Sequence, residues 1–243
     1  MALTYTLENP RAASLGLIVL ETDETLENEA RSAIPREASL HHTRIYSAPT
    51  VTPETLAGME ADLPAAARTF PGHVTYDAIA YCCTSGATVI GQDKVAAAIR
   101  AAHPGAQTTD PITAVMAALS TLGAKRVGLL TPYTLDVSAA MKALLEANGF
   151  EITAFGAFEE AEEAKVARIS GGSTLAAMLE VGSGDDVDAV FASCTNLNTF
   201  GVIGEAEAAL GIPVISSNSA LVWHLARLAG LQAQVPGALG GKA

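Results

Sequence analysis

The chain has 243 residues, 49% hydrophobic and 16% charged, a balance that supports a buried core and excludes intrinsic disorder. Its 14 basic against 26 acidic residues leave a net charge of −12 with no basic cluster, so nucleic acid and anionic membrane are excluded as partners. Three cysteines, two of them adjacent (Cys82 and Cys83), argue against a disulfide framework and for a reducing, cytoplasmic setting.

The opening MALTYTLENP lacks the charged-then-apolar pattern of an export signal. Residues 15–20 (LGLIVL) read as a buried parallel strand. This run is far short of the roughly 20 residues that span a bilayer. A polar turn at Glu21–Asp23 leads into a helix over about 24–34, and a second strand is expected near 38–46. Thr52-Pro53 reads as an N-cap with proline at the first helical position. A third strand, 77–82, runs through Cys83-Thr84-Ser85-Gly86 into one helix reaching about Ala102. Thr109-Asp110-Pro111 starts a helix ending near Gly123. Then come a strand at 126–131, a turn at Pro132-Tyr133, a helix stopped by Asn148-Gly149 and a strand at about 151–156. A helical region broken at Gly171-Gly172 precedes a strand at 187–193, which ends at Cys194-Thr195-Asn196. The last pair is the strand 213–216 and the helix 219–229, and the tail PGALGGKA is expected to be loose. This alternation predicts an α/β fold with parallel sheets covered by helices.

The chain repeats itself. Asp77-Ala-Ile-Ala-Tyr-Cys-Cys83-Thr-Ser matches Asp188-Ala-Val-Phe-Ala-Ser-Cys194-Thr-Asn, 111 residues on. Gly16-Leu-Ile matches Gly128-Leu-Leu at nearly the same offset, 112. A duplicated half explains both matches. The expected division is 1–110, 111–212 and a terminal 213–243 that packs back on the N-terminal half.

Ligands of open α/β sheets bind at the carboxyl ends of the strands. Cys83 and Cys194 fall there, each read as lying immediately before a helix. A helix N-terminus favours a thiolate and is expected to lower a cysteine pKa. Its N–H groups, with the hydroxyls of Thr84, Ser85 and Thr195, can hold a carboxylate, and Asn196 joins them as a binding candidate. Two opposed thiols suit proton transfer at a carbon next to a carboxylate, or addition of one thiolate to a double bond. Neither route needs a metal or organic cofactor. Cys82 reads as an apolar filler. The five histidines (His41, His42, His73, His103, His224) are scattered, so no metal site is expected. His224, beside Trp223, reads as a packing residue. Gly86 and Gly91 lack the Lys-Ser/Thr that completes a phosphate loop. The Glu159–Glu163 cluster reads as a solvated helix start.

The order GLIVLETDETLENE, CTSG, TPYTLDV, SCTNL and PVISSNSALVWHLARLAG resembles the aspartate/glutamate racemase superfamily. Within it, the chain is similar to the maleate isomerase and arylmalonate decarboxylase branch over about residues 14–230. The resemblance implies two pseudo-twofold-related halves with the active site in the cleft between them, and Cys83 and Cys194 as the catalytic pair. It also implies a carboxylate pocket from Thr84, Ser85, Tyr133 and Thr195, and a homodimer. Decarboxylases of the branch resemble a one-cysteine version, so two cysteines favour an isomerase or racemase. Where maleate isomerases carry Asn, this chain has Asp23 and Glu163. An acid repels a second carboxylate and pairs with an ammonium. The expected substrate is therefore a small, amino-acid-like carboxylic acid, with maleate cis-trans isomerisation as the alternative and an arylmalonate-type decarboxylase or a non-catalytic small-carboxylate binder as further ones. The LETDETLE turn is also similar to ectoine-utilisation racemase-like proteins, whose substrates contain diaminobutyrate.

Overall fold

A computed structural model describes residues 1–7 and 12–242. The first half runs β1 (Ala13–Leu20), α1 (Leu26–Ala33), β2 (Ala38–Ile45), α2 (Pro53–Gly58), α3 (Leu63–Ala67), β3 (Ala78–Cys82), α4 (Thr84–Ile90), α5 (Gln92–Ala102), β4 (Gln107–Thr109) and α6 (Pro111–Leu122). The second runs β5 (Arg126–Thr131), α7 (Leu135–Ala147), β6 (Glu151–Ala157), α8 (Glu163–Val166), α9 (Gly171–Gly182), β7 (Ala189–Ala192), α10 (Phe200–Leu210), β8 (Val214–Ser216) and α11 (Ser217–Leu228).

Each half holds a four-stranded parallel sheet, in the orders β2-β1-β3-β4 and β6-β5-β7-β8. The same order twice gives the sequence repeat its structural form. Gly16 pairs in register with Ile79, and Gly128 pairs with Val190 at the equivalent place. At the strand starts, the Asp77 carboxylate accepts the Ser14 N–H at 2.8 Å, and Asp188 accepts the Arg126 N–H at 2.8 Å. The repeated glycines answer to close packing. A Cβ on Gly128 would lie 2.4 Å from the Val181 carbonyl oxygen, and one on Gly16 would lie 3.0 Å from Ile79 and Phe70.

Most predicted elements form where their local signals place them. Thr52 and Thr55 make a reciprocal capping box with Pro53 at the first position of α2. Asp110 caps α6 through Ile112 and Thr113, and Gly123 ends it in the left-handed region. The expected helix to Ala102 is instead two, because Gly91, at φ +95, turns the chain between α4 and α5. Gly171 and Gly172 do not break a helix; they open α9, capped by Ser170. The short strand β4 has no counterpart in the sequence reading.

The terminal unit 213–243 divides. β8 pairs with β7 and so completes the second sheet, not the N-terminal half. α11 crosses to lie on β3, β4, α1 and α6. The tail is not loose: Leu239 is fully buried, and the Trp223 indole N–H donates to the Lys242 carbonyl at 2.9 Å. Ala243, its last residue, lies outside the described residues. Through α11, one apolar core runs from β1 and β3 to Phe191, Cys194 and Ile215. Among the described residues, no helix is long and apolar enough to cross a membrane.

Candidate active site

β3 delivers Cys83 to the N-cap of α4. Its sulfur accepts the Gly86 N–H at 3.2 Å and lies 3.7 Å from Ser85 Oγ. The Thr84 and Ser85 N–H groups head the helix, where they have no partner within it.

Cys194 is placed differently from the expectation. No helix follows it directly; α10 begins only at Phe200, after a turn. Cys194 also has φ +104, a region that favours glycine. Such strain costs on the order of 1–3 kcal/mol and persists only where the surroundings impose it. Here the Cys194 N–H donates to Ser217 Oγ at 3.0 Å, and the Asn196 N–H donates to the Cys194 sulfur at 3.4 Å.

The two motifs meet. The Thr195 hydroxyl donates to the Cys82 carbonyl at 3.2 Å, and Thr84 Oγ1 lies 2.7 Å from Ser217 Oγ. Tyr133 is buried and lies within the field of both Cys194 and Cys83. The Thr84 and Thr195 hydroxyls are thus engaged within the protein. Ser85, Tyr133 and the backbone N–H groups are the donors left for a carboxylate.

The thiols are not activated at rest. Cys83 and Cys194 are 4% and 3% exposed. Burial pushes the Cys83 thiol up to about 12, against the Gly86 N–H and Ser85 hydroxyl that favour the thiolate. Burial, then the nearby Glu163 carboxylate, pushes Cys194 well above its ordinary value. The expected lowering by helix termini is therefore overturned. One buried sulfur loses more hydration than a helix turn returns, and Cys194 has no such turn. Cys82, fully buried in β3, is the filler expected.

Both predicted acids are buried beside the thiols. Asp23 Oδ1 accepts the N–H groups of Thr25 at 2.9 Å and Leu26 at 2.8 Å, capping α1. Its Oδ2 is buried without a hydrogen-bond partner. Burial raises Asp23 to about 6, against those two N–H groups, Thr195 and Arg44. Glu163 turns inward from an otherwise more exposed acid cluster and is also raised by burial. Its Oε2 accepts the Asn196 amide at 2.8 Å, while Asn196 Oδ1 accepts the Glu24 N–H at 2.8 Å. Asn196 therefore braces Glu163 against the Asp23 turn. Backbone bonds from Glu163 to Pro49 and from Val51 to Ala161 strap the two halves together over this corner.

No Lys, Arg or His among the described residues is buried. Arg44, the cation nearest Asp23 by its effect, spends one guanidinium nitrogen on the carbonyls of Leu20, Glu21 and Asp23. His224 bonds Thr109 at 2.8 Å and stacks on Trp223, a packing role. No group of three or more His, Cys, Asp or Glu among the described residues is placed to hold a metal.

Sequence reasoning missed four supporting residues. Tyr81 lies two positions before Cys83, a period-2 spacing that could have flagged it. Ser217 and Asn218 follow β8; Asn218 Nδ2 donates to the Thr195 carbonyl at 2.9 Å and to Glu29 at 2.6 Å. Glu29, buried in α1, also accepts the N–H groups of Thr199 and Phe200 at the head of α10. Only the fold brings these together.

Two duplicated four-stranded parallel sheets flanked by helices, each half carrying a cysteine at a strand end, define an α/β class of doubled halves. The chain belongs to the arylmalonate decarboxylase family, whose model matches residues 51–240. It is 30% identical over 236 residues to a maleate isomerase of Nocardia farcinica, covering 92% of this chain and 93% of the relative. A Nocardia farcinica maleate cis-trans isomerase mutant with a covalently bound succinylcysteine intermediate superposes with a TM-score of 0.83 and 28% identity, over 94% of this chain and 98% of the other. A maleate isomerase mutant of Pseudomonas putida S16 with maleate has a TM-score of 0.87 at 24% identity, over 95% and 98%, and shows the shared fold. These relatives support cysteine-based isomerase or decarboxylase chemistry.

Proposed function

We propose that the protein is a racemase or isomerase of a small carboxylic acid that carries an amino or other cationic group beside its carboxylate. The observation that carries this reading is the pair Asp23 and Glu163, both buried and acting on Cys194 through their charge, with Asp23 Oδ2 unpartnered. A second substrate carboxylate would meet two acids. An ammonium would supply the missing partner of Asp23.

The substrate carboxylate lies at the head of α4, on the Thr84 and Ser85 N–H groups, Ser85 Oγ and Tyr133. One cysteine, as thiolate, removes the α-proton and becomes a thiol. The electron pair passes to the carboxylate, where the convergent donors stabilise it. The opposite cysteine, as thiol, gives its proton to the other face and becomes the thiolate. No proton is gained or lost overall. The substrate ammonium neutralises the acids whose field opposes ionisation of Cys194, so binding itself favours the reactive form.

A second reading is favoured by the succinylcysteine found in the Nocardia relative. A thiolate adds to the double bond of maleate, rotation follows about the resulting single bond, and elimination returns fumarate and the thiolate. Proton NMR in D2O with a panel of amino acids, diamino acids and maleate separates the two. Deuterium at the α-carbon without carbon loss supports the first reading. Fumarate from maleate, with no exchange into any amino acid, overturns it; so does release of CO2.

A further inference from the structure

Tyr81 is fully buried at the end of β3, and its hydroxyl donates to the Met59 thioether at 3.6 Å. A thioether is a weak acceptor, a poor resting partner for a buried phenol. The same hydroxyl flanks the Cys83 sulfur. A Cβ built on Gly86 would lie 2.5 Å from Tyr81 Oη and 2.9 Å from Cys83 Sγ, so both atoms border one small gap. Gly86 keeps that gap open.

We propose that the Tyr81 hydroxyl is a switchable donor, resting on Met59 and turning to the Cys83 sulfur when that thiol ionises. This rests on the two-thiol reading of the site. A thiolate is a charged acceptor and outcompetes a thioether for one O–H. In the free enzyme, with the Gly86 N–H and Ser85 Oγ, the Tyr81 hydroxyl completes a three-donor cradle for the thiolate. The Tyr81 contact favours ionised Cys83, while burial and Glu163 oppose it. The other groups around this sulfur are Cys82 on the same strand and Tyr133 from the second half.

The test is iodoacetamide alkylation of the free enzyme between pH 7 and 10, read separately at Cys83 and Cys194 by fragment mass spectrometry. Cys194 in the same sample corrects for opening of the site. Tyr81→Phe should slow Cys83 about tenfold relative to Cys194, the usual scale for a hydrogen bond to a charged group. An unchanged ratio across the pH range overturns the proposal. Met59→Leu removes the resting partner and should leave Cys83 at least as fast as in the unaltered protein; a slower Cys83 overturns it. Absence of α-proton exchange with every amino acid would sink the functional reading but leave this comparison standing.

Discussion

Thr84 Oγ1 and Ser217 Oγ lie 2.7 Å apart, and through this contact the first cysteine motif is joined to the second. Ser217 also accepts the N–H of Cys194, whose backbone is strained. Ser217→Ala leaves that buried N–H without a partner, a cost of about 1–3 kcal/mol. We expect a lowered melting temperature and a fall in kcat larger than any change in KM. Ser217→Thr, which keeps the hydroxyl, should recover part of both.

Cys83→Ala and Cys194→Ala each remove one member of the proposed acid–base pair. Loss of one such group costs about 100- to 10,000-fold. We expect that loss in racemisation, measured by circular dichroism of the product, with near-unaltered folding. Full activity in either variant would refute the two-thiol mechanism.

Asp23 ties stability to pH. Its folded value of about 6 stands above its ordinary 3.8, so the folded state holds this proton more tightly than the unfolded chain. Protonated Asp23 therefore favours the fold. Its contribution falls as pH rises from about 4 to about 6, and the penalty is complete above that window. Asn at this position keeps an oxygen for the Thr25 and Leu26 N–H groups. Asp23→Asn should be more stable than the unaltered protein at pH 8 by about 3 kcal/mol. Below pH 4 the two should converge. Urea unfolding at both pH values checks the sign.

Replacing both acids tests substrate choice. Asp23→Asn with Glu163→Asn removes two buried negative charges beside the thiols. We expect at least a tenfold loss in kcat/KM for ammonium-bearing substrates, together with a gain on maleate. Loss of both activities in a folded double variant would count against the charge argument.

Gly86→Ala probes the crowding around Cys83. The new methyl would meet Tyr81 Oη at 2.5 Å, Cys83 Sγ at 2.9 Å and Met59 Cε at 3.1 Å. Overpacking of this kind costs about 1–3 kcal/mol. Thermal unfolding should show that loss, and slower Cys83 alkylation should accompany it.

Several parts of this fold are legible in the sequence because their causes are local. LGLIVL is a strand buried on both faces, and it becomes β1 within two residues. Thr52-Pro53 and Asp110-Pro111 carry their caps beside them. The Asp77 and Asp188 repeats sit at equivalent places because each strand start uses the carboxylate in the same way. Gly91 misled because a glycine inside a helical pattern is read as tolerated, whereas here its positive φ turns the chain.

The sequence by itself determined the α/β alternation, the duplicated half and the pairing of Cys83 with Cys194 as equivalent residues. Asp23 and Glu163 were legible only through the family resemblance. Tertiary structure decided the rest. It set Cys194 in a strained turn rather than at a helix start, sent α11 across to the first half, and brought Ser217, Tyr81 and Glu29 to the site. It also reversed the expected pKa shift of the cysteines. The reason is physical: caps, turns and strand periodicity depend on neighbouring residues. Burial and the field of distant carboxylates depend on the whole packed chain, and for a buried thiol those two outweigh the helix terminus beside it.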